Sequence, residues 1–115
     1  MIKEIAVMHI ENEISLAKRA LVEENTGKAR VCARRAAGIA ISYWLESHPE
    51  INWGESAISL LNNLKVNKLM PDKIREAAVR LTTSVKNKSS KEFTEDPLQD
   101  SGIIIKYFIK NYTSK

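Results

Sequence analysis

The chain has 115 residues, enough to bury one hydrophobic core without disulfides or metals, so we expect a single domain over residues 1–115. Four glycines and three prolines are too few for a turn-rich β-sandwich or a low-complexity chain, and a single cysteine excludes an internal disulfide. The net charge is +4, but residues 26–91 hold twelve Lys and Arg against five Asp and Glu and so carry +7, an asymmetry compatible with an anionic partner.

The apolar segments are short and interrupted by charge. Lys3 and Glu4 lie in the N-terminal stretch, which is therefore unlike a signal peptide, and the longest apolar run, GIIIKYFI, contains Lys106. We expect a cytoplasmic protein without a membrane segment, in which Cys32 is a small buried thiol.

The first predicted helix spans residues 2–24. Its apolar residues recur every three or four positions on one broad face, and His9 and Glu13 fall inside that face. Because both would lose water there, we expect a hydrogen-bonded pair, which Arg30 or Arg34 could join. Such a polar cluster is either a structural contact or the mark of a functional site. It lacks a third ligand at a recognisable spacing, so no metal site is predicted.

The second predicted helix starts at Thr26, a candidate cap, and ends near Ser47 because Pro49 follows. At 100° per residue its small side chains share one face that suits close helix packing, and the opposite face is charged. The small residues are Ala29, Cys32, Ala33, Ala36 and Ala40; the opposite face holds Val31, Arg34, Arg35 and Gly38. We expect the guanidinium groups to point outward, either as a solvated edge or as an anion-binding rim. Gly38 suggests that something packs on this side, a second subunit being one candidate.

Three further helices complete the prediction. A short helix is expected over 54–65, a fourth helix from Pro71 to Val85, an exposed loop over 86–96, and a last helix from 97 to about 112 that Asp96 and Pro97 begin. Five helices with mostly short connections make a helical bundle, so the fold class is all-α.

The last helix also predicts a partner. Ile103, Ile104 and Ile105 point in three directions and are followed by more apolar residues, which one bundle cannot easily cover. A self-complementary two-fold contact would cover the excess, so we expect a homodimer.

Candidate site residues are mostly basic. The anion- or nucleic-acid-binding candidates are Arg30, Arg34, Arg35, Arg75 and Arg80. No catalytic residue is assigned, since phosphate-loop, dinucleotide and HExxH motifs are absent and only His9 and His48 supply imidazoles. We expect no cofactor.

The segments GKARVCARRAAGIAISYWL, SAISLLNNL, PDKIREAAVRLTTSV and DPLQDSGIIIKYFI together resemble the HEPN domains, a family of small helical bundles named for nucleotide binding, over nearly the whole chain. The resemblance implies an antiparallel four-helix bundle with one additional short helix, usually dimeric. Many members are RNases of toxin and defence systems that use an arginine followed four to six residues later by a histidine near the start of the penultimate or last long helix. Others partner a small nucleotidyltransferase or bind nucleotides or proteins.

This chain departs from that catalytic pattern, because Arg75 is followed by Arg80, and Arg80 by Lys86, with no histidine in the segment. A protonated side chain cannot readily replace imidazole as a proton shuttle. We therefore expect a noncatalytic HEPN-like interaction module, a homodimer or the partner of a separately encoded protein. The alternative is a basic RNA- or nucleotide-binding protein, and an RNase is a weaker one.

Overall fold

The computed structural model of the protein describes residues 1–83 and 96–112, which form five α-helices and no strand within those ranges. The all-α prediction is confirmed for this part of the chain. The helices are α1 (Lys3–Val22), α2 (Thr26–Leu45), α3 (Ala57–Val66), α4 (Asp72–Thr82) and α5 (Pro97–Phe108). The radius of gyration is 13.3 Å, close to the about 13 Å expected for a compact chain of this length.

Local capping chemistry explains where the helices begin. The side chain of Asp96 accepts a hydrogen bond from the Gln99 amide, and Pro97 occupies the first helical position of α5, as the sequence predicts. The cap of α2 is Asn25 rather than Thr26, because Asn25 Oδ1 accepts from the Lys28 amide at 3.1 Å. Helix α5 ends at Phe108, four residues before the predicted end. The predicted end of α4 at Val85 and residues 86–95 of the predicted loop lie outside the described residues.

Helix α2 is the centre of the fold, since it contacts all four other helices and packs most extensively on α1 and α5. Its alanines make this close approach possible, and most of its circumference is buried. Gly38 is part of that buried surface: a Cβ at this position would lie 3.1 Å from the Cα and Cβ of Ala57. The partner that the sequence suggested for Gly38 is therefore α3 of the same chain.

The last helix corrects a sequence-based argument. Ile104 and Ile105 are buried in the shared core, Ile103 packs partly against it, and Tyr107 is exposed. The expectation that one chain cannot cover the isoleucines is wrong, because α1, α2 and α4 all contact α5 and enclose it from several sides.

The segment between α2 and α3 closes one end of the core. Trp53 is buried, and its ring lies 5.9 Å from that of Trp44, which also contacts Phe108 at 5.2 Å between ring centroids. His48 stacks on Trp44 at 4.1 Å, and its Nδ1 lies 3.0 Å from the Trp44 carbonyl oxygen, so the ring donates to the exposed end of α2. The aromatic cluster orders the connection between α2 and α3, which has no regular secondary structure.

Candidate functional site

The arginines of α2 reach the end of α4. Arg34 Nε donates to the Leu81 carbonyl oxygen at 2.5 Å, and Arg30 Nη2 donates to the same oxygen at 3.4 Å and to the carbonyl oxygen of Thr83. The last carbonyls of a helix have no partner within the helix and carry its negative dipole end, so cationic donors stabilise them. Arg30 and Arg34 therefore cap the C-terminus of α4.

The burial of these two arginines contradicts the outward orientation that the sequence predicts. Arg30 is only 3% exposed and Arg34 is half-buried. Burial lowers the pKa of the Arg30 guanidinium, the charge of Arg34 lowers it further, and Asp100 acts in the opposite direction. Burial also lowers the pKa of Arg34. Guanidinium pKa values are high enough that both side chains remain charged at neutral pH.

Asp100 of α5 supplies the carboxylate of this cluster. Arg80 Nη2 lies 2.8 Å from Asp100 Oδ1, and Arg80 Nε donates to the same oxygen at 2.9 Å. Nearby, Ser101 Oγ donates to the Ala33 carbonyl oxygen at 2.8 Å, which ties α5 to α2. Sequence reasoning missed Asp100; its position one turn after the Asp96 cap, in a helix rich in isoleucine, was the available signal.

The structure thus brings Arg30, Arg34 and Arg80 together and leaves the other two candidates elsewhere. Arg75 Nε donates to the Lys65 carbonyl oxygen near the end of α3 at 3.3 Å, and Arg75 Nη1 lies 3.3 Å from Asp72 Oδ1. Arg35 is exposed on the opposite side of α2. Arg80 pairs with Asp100, and the charge of Asp100 also acts on Arg30. This corner of the protein thus holds three guanidinium groups and one carboxylate, an excess of positive charge.

The predicted pairing of His9 with Glu13 within a buried arc is not what the structure shows. His9 is exposed, whereas Glu13 is half-buried beside Cys32. Burial raises the pKa of the Cys32 thiol, and the negative charge of Glu13 raises it further. Among residues 1–83 and 96–112, no group of three His, Cys, Asp or Glu side chains could hold a metal ion.

Helix α1 presents a second surface, which we call the α1 stripe. Its members are Ile5, His9, Asn12 and Leu16, all exposed. At 100° per residue they lie within about 60° of the helix circumference, to one side of the buried row. The buried row of α1 is Ala6, Ile10, Ile14, Ala17 and Ala20. The sequence holds two adjacent apolar rows on this helix, which periodicity alone merges into one broad face.

The helices in the described ranges are each too short or too polar to cross a bilayer. No protein-family model, no curated protein and no solved structure matches this chain. The resemblance to HEPN domains therefore stays a prediction, and functional inference rests on the arginine cluster, the α1 stripe and the surface clefts.

Proposed function

We propose that the protein is a noncatalytic, HEPN-like interaction module: an antiparallel four-helix bundle of α1, α2, α4 and α5, with α3 as the additional short helix, that works as a homodimer or with a separately encoded partner. A reducing cytoplasm suits its buried free thiol. The single observation that carries the proposal is the α1 stripe, an exposed row of residues at the three- and four-residue spacing of a helix-pairing seam.

The stripe is self-complementary when two α1 helices run antiparallel. Pairing residues whose numbers add to 21 places Ile5 opposite Leu16 of the second copy and His9 opposite Asn12 of the second copy, each twice by symmetry. The apolar pairs lie outside the polar ones. Burying them supplies association free energy, while imidazole and amide groups can hydrogen-bond and so select the register.

Light scattering coupled to size exclusion tests the dimer. At micromolar concentration we expect twice the chain mass of 13.0 kDa. Ile5→Glu and Leu16→Glu should each give the monomer mass, because each buries two unpaired charges in the symmetric contact. Leu69→Glu is the matched control, since Leu69 is 93% exposed away from α1, and it should leave the dimer intact. A parent protein that remains monomeric excludes the homodimer, and partner capture abolished by Ile5→Glu would then support the hetero-partner form.

The noncatalytic part of the proposal rests on the two arginines of α4. Arg75 donates to the Lys65 carbonyl oxygen and pairs with Asp72, and Arg80 pairs with Asp100. Neither guanidinium is therefore directed at an open reaction site with an imidazole beside it. We expect no cleavage when the metal-free protein is incubated with mixed RNA. Cleavage that disappears in His9→Ala would contradict the proposal.

The excess positive charge of the arginine cluster supports the alternative, a protein that binds RNA or nucleotides. Arg30 and Arg34 already bond to the end of α4, so the outer edge of Arg80 is the accessible contact of the cluster. Exposed Arg35 offers a separate contact on another side of α2. A labelled RNA should then bind with an affinity that falls steeply as salt rises, because counterions are released. Lack of retention at low salt would exclude this alternative.

A further inference from the structure

A half-open cleft of about 560 Å³ lies between α1, α4 and α5, apart from both the arginine cluster and the α1 stripe. Its size falls within the range of about 300–1,000 Å³ that is usual for small-molecule sites. The floor is apolar: Ile14, Ile74 and Ile105 are buried core residues whose side chains reach the cleft from three different helices. An apolar floor of this kind accommodates a hydrocarbon chain or ring.

The rim of the cleft is positively charged. Lys73 of α4 and Lys106 of α5 line it and are exposed, so two ammonium groups face one opening. Lys18 of α1 also lines the cleft but has a contact of its own. No acidic side chain is among the described residues that line the cleft. Outside the lining, Glu11 accepts a hydrogen bond from the Tyr112 hydroxyl at 2.8 Å, and Asp72, next to Lys73, pairs with Arg75. The charge of the rim therefore complements an anion.

Gly102 keeps the cleft open. It lies in the middle of α5, where glycine costs the helix about 1 kcal/mol relative to alanine. A Cβ at this position would meet no atom within 4 Å, so helix packing does not require a glycine here, in contrast to Gly38. What the missing side chain preserves is the space of the cleft itself.

We propose that this cleft binds a small anionic amphiphile, a molecule with a hydrocarbon body that lies on the isoleucine floor and one carboxylate or phosphate head that Lys73 and Lys106 hold. The site is independent of the dimer proposal, because none of its lining residues belongs to the α1 stripe. The lysines contribute charge and the floor contributes apolar contact, so neither an inorganic anion nor a neutral alcohol satisfies both.

Titration of the ¹⁵N-labelled full chain tests the proposal with defined probes below their micelle-forming concentrations. Octanoate and octyl phosphate should both bind and shift the amide signals of Gly102 and Ile103. Equal affinities would show that the site recognises the chemistry that the two probes share, and unequal affinities would identify the preferred head group. Acetate and 1-octanol should bind at least about tenfold more weakly. Equal binding of octanoate and 1-octanol, or octanoate shifts confined to the α1 stripe, would overturn the proposal.

Variants separate binding from folding. Gly102→Leu should fill the cleft, abolish octanoate binding and leave the melting temperature equal or higher, because leucine favours the helix and meets open space. Lys106→Gln should weaken binding about two- to fivefold, and the control Lys68→Gln, an exposed lysine away from the cleft, should not. Undiminished octanoate binding by folded Gly102→Leu would overturn the site. So would binding of the parent to phosphatidylglycerol vesicles but not to monomeric octanoate.

Discussion

Asp100 of α5 accepts a hydrogen bond from Arg80 Nε of α4 at 2.9 Å, and the same carboxylate oxygen lies 2.8 Å from Arg80 Nη2. The Asp100 side chain is 7% exposed and that of Arg80 is 32% exposed. Asp100 also offsets the charge of Arg30, which caps α4 together with Arg34. One carboxylate of α5 therefore interacts with cationic side chains of both α2 and α4.

The first prediction concerns this carboxylate. Asp100→Asn should lower the free energy of unfolding by about 2–3 kcal/mol, less than a fully buried pair loses, because Arg80 keeps contact with water. Asp72→Asn is the matched control: Asp72 also pairs with an arginine but is 87% exposed, so its loss should cost below about 0.5 kcal/mol. Urea denaturation measures both. Equal effects would mean that the cluster adds nothing beyond an ordinary surface pair.

The second prediction contrasts two adjacent arginines. Arg34→Met should destabilise the protein by about 1–3 kcal/mol, since the buried Leu81 carbonyl loses its 2.5 Å donor. Arg35→Met should change stability by no more than about 0.5 kcal/mol, because Arg35 is exposed. Thermal unfolding followed by circular dichroism compares the two. A larger loss of stability in Arg35→Met than in Arg34→Met would mean that Arg34 points outward, as the sequence pattern predicts.

The third prediction contrasts two glycines in the middle of helices. Gly102→Ala should stabilise the protein by about 0.5–1 kcal/mol, because the new methyl group meets open space and alanine favours the helix. Gly38→Leu should destabilise it by about 1–3 kcal/mol, because Ala57 lies 3.1 Å from the position of a Cβ. Chemical denaturation of the two variants checks the signs. Stabilisation by Gly38→Leu would contradict the close packing of α2 on α3.

The fourth prediction concerns the thiol. Cys32 is buried and its pKa is raised, so it should react with a thiol-specific disulfide reagent at neutral pH only as fast as the protein opens. In denaturant the same thiol should react as fast as an ordinary free cysteine. Absorbance of the released chromophore follows both reactions. Rapid reaction of the folded protein would show that Cys32 is accessible.

The raised pKa of Cys32 also fixes the sign of a pH effect. The folded state holds the thiol proton more tightly than the unfolded state does. The stability that this proton contributes is therefore complete below the thiol pKa of the unfolded chain, about 8.5, and is lost as pH rises from there through the thiol pKa of the folded protein. Unfolding free energies at pH 7.5 and 9.5 should therefore fall more in the parent than in Cys32→Ala. An identical fall in both proteins would contradict the linkage.

The sequence carries much of the local information in this fold. The Asp96 and Pro97 pair predicts the start of α5, and helical periodicity predicts all five helices, because capping and amphipathicity act over a few residues. Periodicity merges the two rows of α1, however, and places His9 on the buried side. Periodicity predicts which residues share a face, but it does not predict how wide an arc of the helix its neighbours cover.

By itself, then, the sequence determined the all-α class of the described residues, most helix starts and the close-packing character of α2. Only the tertiary structure decided that Arg30 and Arg34 point inward to the end of α4, that Ile104 and Ile105 are covered within one chain, and that Gly38 meets Ala57. The physical reason is that α2 is surrounded by four helices, so the environment of each of its faces depends on chain segments far away in sequence.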